Sequence, residues 1–463
     1  MKKLLFIITA IISLFLFSNA QTTPPTIQWQ KCLGGGGDDR ANSIQQTNDG
    51  SYIVAGFTGS NDGDVTGNHG AYDYWIVKID YSGNIQWQKS LGGSIYDKPN
   101  SIQQTNDGGY IVAGYSNSND GDVTGNHGGG YDYWIVKLDS SGNLQWQKSL
   151  GGTYHDDVAN SIQQTYEGGY IVAGYSCSSD GDITGNHGYG DYWVVKLDTT
   201  GNLQWQKSLG GSNDDGANSI QQTNDRGYIV AGFTGSNDGD VTGNHGGNFD
   251  YWIVKLDSSG NLQWQKSLGG TGDDWGSSIK QTTDEGYIVA GYSDSNDGDV
   301  TGNHSTTYHY YDYWVIKLDS AGNLQWQKCL GGVGAESAFL IQQTNDGGYA
   351  VAGNTWSNSG DVTGNHGFSD YWIVKLSFTT VIETQFITSE VSIYPNPTNG
   401  ILNIKNAENS NIAIYNLLGE LLISKKCNSA FSTINVSGLA EGTYIVKVVS
   451  EKNITTKKIS VIK

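Results

Sequence analysis

A tryptophan returns about every 59 residues along most of this chain, and no other feature constrains the fold so tightly. In the motif Gln-Trp-Gln-Lys it stands at Trp29, Trp87, Trp146, Trp205, Trp264 and Trp326, at intervals of 58, 59, 59, 59 and 62 residues. A second tryptophan, in Asp-Tyr-Trp, stands at Trp75, Trp134, Trp193, Trp252, Trp314 and Trp372. Self-similarity at a fixed period marks an array of one supersecondary unit. Within one period the spacing predicts strands at 101–105 (SIQQT), 110–116 (YIVAGYS), 133–139 (YWIVKLD) and 144–150 (LQWQKSL). The Asp-Gly and Ser-Gly-Asn segments between them supply the positive-φ positions that tight hairpins need. β-Branched and aromatic residues fill the strands, and nothing has the 3.6-residue period of a helix.

Four antiparallel strands repeated radially build a β-propeller; a linear solenoid uses shorter parallel coils. The first Gln-Trp-Gln-Lys strand (27–33) has no first three strands before it, and the last unit (340–376) has no fourth after it. The expectation is therefore an all-β chain with a six-bladed propeller over 21–377, closed by its N-terminal strand. A small β-sandwich follows at 391–463, after a linker at 378–390. The hairpin 133–146 (YWIVKLDSSGNLQW) resembles those of PQQ-type propeller blades. With GYIVAG at 109–114, the unit is also similar to glycine-rich repeats of bacterial surface propellers. The resemblance spans 27–376 and implies the fold; it brings no quinone-cofactor site.

Both ends read as addresses. Residues 1–20 join two lysines to a short apolar run and a small-x-small end, the pattern of a cleaved secretory signal. Residues 391–463 alternate short apolar runs with Gly/Asn turns, as a small sandwich does. They carry Tyr394-Pro395-Asn396-Pro397, Gly400, Ile414-Tyr415-Asn416 with Gly419, and Leu439 with Gly442-Thr443-Tyr444. That order resembles the type A C-terminal sorting domain of type IX secretion. The resemblance implies passage across the outer membrane on the type IX machinery. It also implies removal of the domain, with the cargo released or attached to surface lipopolysaccharide. No other segment is long enough to span a membrane, so a secreted or surface-held protein without a transmembrane anchor is expected, as a monomer.

The formal charge of −20 is unevenly placed. Residues 391–463 carry +4 from eight lysines and four glutamates, and Lys2 and Lys3 add +2, so the remainder holds −26. This excludes nucleic acid as the natural partner and favours cations or neutral polar ligands. In a four-stranded meander the second-to-third and fourth-to-first loops emerge on one side, so the acid is expected on one face. The Asp-x-Asp pairs Asp62/Asp64, Asp120/Asp122, Asp180/Asp182, Asp238/Asp240 and Asp297/Asp299 sit in glycine-bent loops and make calcium the candidate cofactor. They lack the remaining ligands of an EF-hand. Asp, Asn and Gly are also ordinary loop formers whose side chains bond nearby backbone. The six loop histidines, one per repeat, are expected to be hydrogen-bonded rather than metal-bound.

Departures from the repeat are the better places for a ligand. Trp275, Tyr308, Tyr310, Tyr311 and Trp356 are expected on the acidic face in one sector, and aromatic planes next to amides and acids suit a carbohydrate or surface-protein ligand. No one-off Asp, Glu, His or Ser cluster has nucleophile or acid–base spacing. A non-enzymatic binding, adhesion or scaffold propeller is therefore expected, with a polysaccharide hydrolase or lyase as the alternative.

Overall fold

The computed structural model describes residues 28–304, 310–377, 391–450 and 454–463, and every regular element in them is a strand. The signal at 1–20, the linker at 378–390 and Tyr308 lie outside the described residues. The chain divides into two compact units, at 377/378.

Blade two shows how the repeat folds. Its strands, from the inside out, are Asp97–Gln104, Tyr110–Ser116, Asp132–Leu138 and Leu144–Leu150, antiparallel and in sequence order. The inner strand begins four residues before the expected 101–105, because a bulge between Pro99 and Ser101 absorbs an extra residue and lets Asp97 pair with Ser116. Blades one, three, four and five repeat this sheet. The sixth has three strands, Glu336–Gln343, Tyr349–Thr355 and Asp370–Leu376.

The two tryptophan series hold neighbouring blades together. Third-strand Trp134 is fully buried, receives the Tyr74 ring of the preceding blade at 4.4 Å, and accepts the Tyr74 hydroxyl's hydrogen bond on its carbonyl at 2.9 Å. Four further seams repeat this bond, from Tyr133, Tyr192, Tyr251 and Tyr313. The fourth-strand tryptophan lies over a turn glycine of the next blade: a Cβ on Gly142 would stand 2.8 Å from the Trp87 ring. Gly142 also has φ +78°, so contact and backbone both require glycine there. The flanking glutamine explains the rest of the motif, since Trp134 Nε1 donates to Gln147 Oε1 at 2.8 Å.

The N-terminal segment makes half of the expected closure. Trp29 lies over Gly83 and donates to the Tyr81 carbonyl, and it packs with Leu33 against the buried Trp75, Val77 and Ile79 of blade one. This is where a preceding blade's fourth strand would dock. Pairing with Asp370–Leu376, the other half, is not among the strand pairings of the described residues. Tyr371 is 95 % exposed and Ile373 74 %, whereas their counterparts Tyr74 and Ile76 are fully buried. At this edge Phe339 and Leu340 stand where inner blades carry the Asn and Ser that bond to the next blade.

The second unit is a sandwich of two sheets. One orders Ser392–Tyr394, Ile401–Lys405 and Phe431–Asn435; the other orders Leu421–Cys427, Ser410–Tyr415, Gly442–Val449 and Ile454–Val461. Leu402, Ile404, Ile412, Ile414, Ile434 and Val446 form its core, the inward halves of alternating strands.

Candidate functional site

The loops expected on one face do meet there, and they bond to one another. In blade two, Asp120 Oδ1 accepts from the Ser94 N–H at 2.7 Å and Asp122 Oδ2 from the Gly92 N–H at 3.3 Å. Asp62 and Asp64 cap Gly36 and Gly34 in the same way, and Asp180 and Asp182 cap Thr153 and Gly151. Asp238 and Asp240 cap Ser212 and Gly210; Asp297 and Asp299 cap Thr271 and Gly269. All ten Asp-x-Asp carboxylates thus accept backbone N–H groups of the Gly-Gly loop entering their own blade. The backbone bond from Ser94 holds Asp120 below the usual carboxylate range. Among the described residues no three His, Cys, Asp or Glu side chains gather as metal ligands.

Beneath these loops lie carboxylates that the spacing did not single out as buried. Asp73 opens a third strand and accepts from the backbone N–H of His69 at 3.0 Å, with the His69 Nδ1 at 2.7 Å. Asp97, on the next blade, accepts from Gly93 N–H at 2.8 Å and from the Ser118 hydroxyl at 3.1 Å. Both are fully buried; Asp73 keeps one oxygen without a partner, and Asp97 also accepts from the Ser116 hydroxyl. They are neighbours across Gly92: a Cβ there would stand 2.8 Å from Asp73 Oδ1 and 2.5 Å from Asp97 Oδ2. Burial pushes Asp97 up to about 6, with Asp73's charge adding to the rise. Burial opposes charge on His69, yet the bond to Asp73 and the charges of Asp73, Asp122 and Asp97 together outweigh it and raise its pKa. The pattern recurs at Asp157 and Asp215, raised by burial to about 6, and at Asp274, raised to about 7. In the Asp-Asp pairs at 156–157 and 214–215 the first member is exposed, and at 273–274 both are buried. Their second members are not loop residues on the acidic face but the buried first residues of inner strands. Asp97, Asp157 and Asp274 are fully buried, while Asp214 and Asp215 line the cavity described next.

The aromatic sector is partly assembled. Trp275 opens onto the acidic face beside Phe233 and Phe249, with ring centroids 4.0 and 4.6 Å away, and lies parallel to Tyr292 at 6.2 Å. Tyr311 joins through Tyr292 at 5.1 Å, and Tyr310 is 45 % exposed. Trp356 stands apart on blade six, half exposed, edge-on to Phe368. Trp275, Phe233 and Phe249 form one wall of a cavity of about 430 Å³, completed by Tyr175, Cys177, Gly190, Asp214, Asp215, Asn160 and Asn218. Its origin is a gap in the repeat. The residue before the third strand is Tyr72, Tyr131, Phe249 and Tyr311 in blades one, two, four and five, and each packs on the aromatic ring at the sixth position of its own second strand. In blade three that residue is Gly190, and Tyr175 is left facing the cavity. A Cβ at Gly190 would meet nothing closer than 3.4 Å. Alignment of the six repeats carries this signal; a search for extra aromatics alone passes over it.

In the second unit the sorting motif clamps the last strand. Asn396 donates to the Lys458 carbonyl and accepts from the Ser460 N–H, while Thr398 N–H bonds the Ser460 carbonyl. Pro395 and Pro397, both preceded by cis peptide bonds, frame this asparagine, and Lys405 lies over the Tyr394 ring. Tyr444 OH bonds the Ala440 carbonyl, and Gly419 (φ +83°) and Gly442 (φ +155°) shape the turns before their strands.

Residues 392–463 match the family model of the secretion system C-terminal sorting domain. No curated protein matches the chain. Among solved structures, PorZ, an essential bacterial surface component of the type IX secretion system of Porphyromonas gingivalis, is 11 % identical with a TM-score of 0.31. That alignment covers 94 % of this chain and 61 % of PorZ, so the chain spans under two thirds of that protein's length. Sqt1 from Chaetomium thermophilum is 13 % identical with a TM-score of 0.37, over 72 % of this chain and 87 % of that one. An endo-1,4-beta-xylanase from Bacteroides thetaiotaomicron is 10 % identical with a TM-score of 0.32, over 64 % and 97 %. At these values none of the three bears on activity. Among the described residues no helix is long and apolar enough to cross a membrane. The chain is a propeller-repeat protein whose C-terminal sorting domain directs it through type IX secretion to the cell surface or the extracellular space.

Proposed function

We propose that the exported propeller is a non-catalytic binding module that takes a neutral carbohydrate in the aromatic cavity of its acidic face. The observation that carries this reading is the Gly190 gap: the loop aromatic that blades one, two, four and five carry is missing in blade three, and the gap opens, beside Trp275, onto a pocket of ligand size. Ring faces of Tyr175, Phe233 and Trp275 offer stacking planes, and Asp214 with Asn160 and Asn218 offers hydroxyl partners. Asp215, the buried carboxylate in this cavity's lining, accepts from the Gly211 N–H and the Thr234 and Ser236 hydroxyls, which supports a structural role rather than hydrolysis. The Asp-x-Asp loops read as self-capped turns, because their carboxylates already accept loop N–H groups. A glycan-array screen of the secreted protein, with and without EDTA, tests the reading. Binding is expected to survive EDTA and to fall at least tenfold in Trp275→Ala. Turnover of any bound polysaccharide, or binding indifferent to Trp275→Ala, would overturn it.

A further inference from the structure

The inner strands of all six blades face an axial cavity of about 950 Å³, bounded also by the flank of blade one. Most of its polar wall is engaged between blades. Asn100 Nδ2, for example, donates to the Ala159 carbonyl at 2.9 Å, and Ser101 Oγ accepts from Ile162 N–H at 3.3 Å. One level, near the tight-turn end, differs. Gln45, Gln103, Gln163 and Gln221 each accept, through the carboxamide oxygen, a backbone N–H of the next blade at 2.6–2.7 Å. A backbone donor fixes which end of each amide is oxygen. What the level leaves over is therefore a set of NH₂ groups, for which no acceptor exists among the described residues.

Blade five breaks this series with Lys280, which stands in the glutamine register and also lines the cavity. It has no hydrogen bond or ion pair among the described residues, and burial lowers its pKa. Of the turn-end lysines, Lys78, Lys137, Lys255, Lys317 and Lys375 pair with Asp49, Asp107, Asp225, Asp284 and Asp346 at 2.8–3.0 Å, and Lys196 bonds the Thr165 hydroxyl and the Leu197 carbonyl. The carboxylate of Lys280's own strand, Asp274, lies six residues away, about 20 Å along an extended chain. In a chain of net charge −20, this level gathers donors and one cation with no anion to meet them.

We propose that the turn end of the axial cavity is an anion site for a carboxylated sugar, with the Lys280 ammonium on the carboxylate and the amide groups of Gln45, Gln103 and Gln163 on carboxylate and hydroxyl oxygens. One ammonium matches one carboxylate, and neutral amides match the hydroxyls beside it. An acidic peptide would bring a charge on every residue against the single cation of this level; of the cavity's other cations, Arg40 is paired with Asp38 and Lys31 belongs to the N-terminal segment. The aromatic cavity meets the axial cavity at Asn160 and Asn218, whereas this site lies three residues further along the inner strands, at the glutamine level.

Calorimetric titration of the full chain with sodium glucuronate, glucose, acetate and triglutamate tests the proposal. Glucuronate is expected to bind, with glucose and acetate at least tenfold weaker. Lys280→Gln, which restores the repeated residue and keeps the blade intact, should weaken glucuronate at least tenfold. Gln103→Glu should weaken it further by placing a like charge in the ring. Gly190→Tyr should leave it unchanged, so that failure here and failure of the aromatic cavity are told apart. No glucuronate binding, equal binding by Lys280→Gln, equal affinity for glucose or acetate, or tighter binding of triglutamate would each overturn it.

Discussion

Gly142 carries two demands at once, a left-handed backbone and a missing Cβ beneath Trp87, and so tests the blade-docking account at a single atom. Gly142→Ala is expected to destabilise the propeller by about 2 kcal/mol or more, read as a fall in the urea midpoint. Gly125→Ala is the control: φ is +84° but nothing lies within 4 Å, so backbone strain alone, about 1 kcal/mol, should appear. Asp97 gives the opposite sign. It is fully buried beside the Asp73 carboxylate, so Asp97→Asn, which keeps an acceptor and removes the charge, should stabilise the protein at pH 8 by about 1–2 kcal/mol. The tryptophans and turn glycines were legible because a fixed period exposes them. The buried aspartates were not: Asp-Asp looks alike in a loop and at a strand start, and a bulge three residues on decides which it is.

Between elements, the seams set the response to pH. Asp97, Asp157 and Asp215, raised to about 6, and Asp274, raised to about 7, hold their protons more tightly folded than unfolded. Their stabilisation is complete below the ordinary carboxylate range, near 4, and is lost as pH rises to 6–7. His69 and His127, also raised, lose theirs as pH climbs through their folded values above 6.5. On the turn face Asp107 is lowered to about 2, its bonds from Thr105 and Lys137 overcoming burial, so its contribution is present above 4 and lost as pH falls towards 2. Thermal unfolding should therefore show a maximum near pH 4–5, with Tm about 5 °C or more lower at pH 8. A Tm that rises from pH 5 to pH 8 would contradict the buried pairs. At this scale the sequence showed three strands of each blade nearly to the residue, because alternation and turns are local signals. It left the inner strand short, since the four residues before Ser101 read as loop until their pairing partners are known.

For the whole molecule, the repeat, the acidic face and the sorting domain were legible, whereas the cavity was not, because a gap is defined by what neighbouring blades contain. The uncovered flank of blade six predicts uneven protection: amide hydrogen exchange should be fastest, among the six blades, at Asp370–Leu376, where Tyr371 and Ile373 are exposed. Equal protection there and in the buried third strand of blade two would mean that the two end blades close on one another. Deleting 392–463 should retain the protein inside the outer membrane, as cell fractionation would show. The central claim rests on one missing side chain. Calorimetric titration of the secreted protein and of Gly190→Tyr with a neutral glycan found on the array is the direct measurement. The tyrosine fills the cavity with the residue other blades carry, so binding should be abolished while Tm stays level or rises. Undiminished binding by Gly190→Tyr would contradict the account.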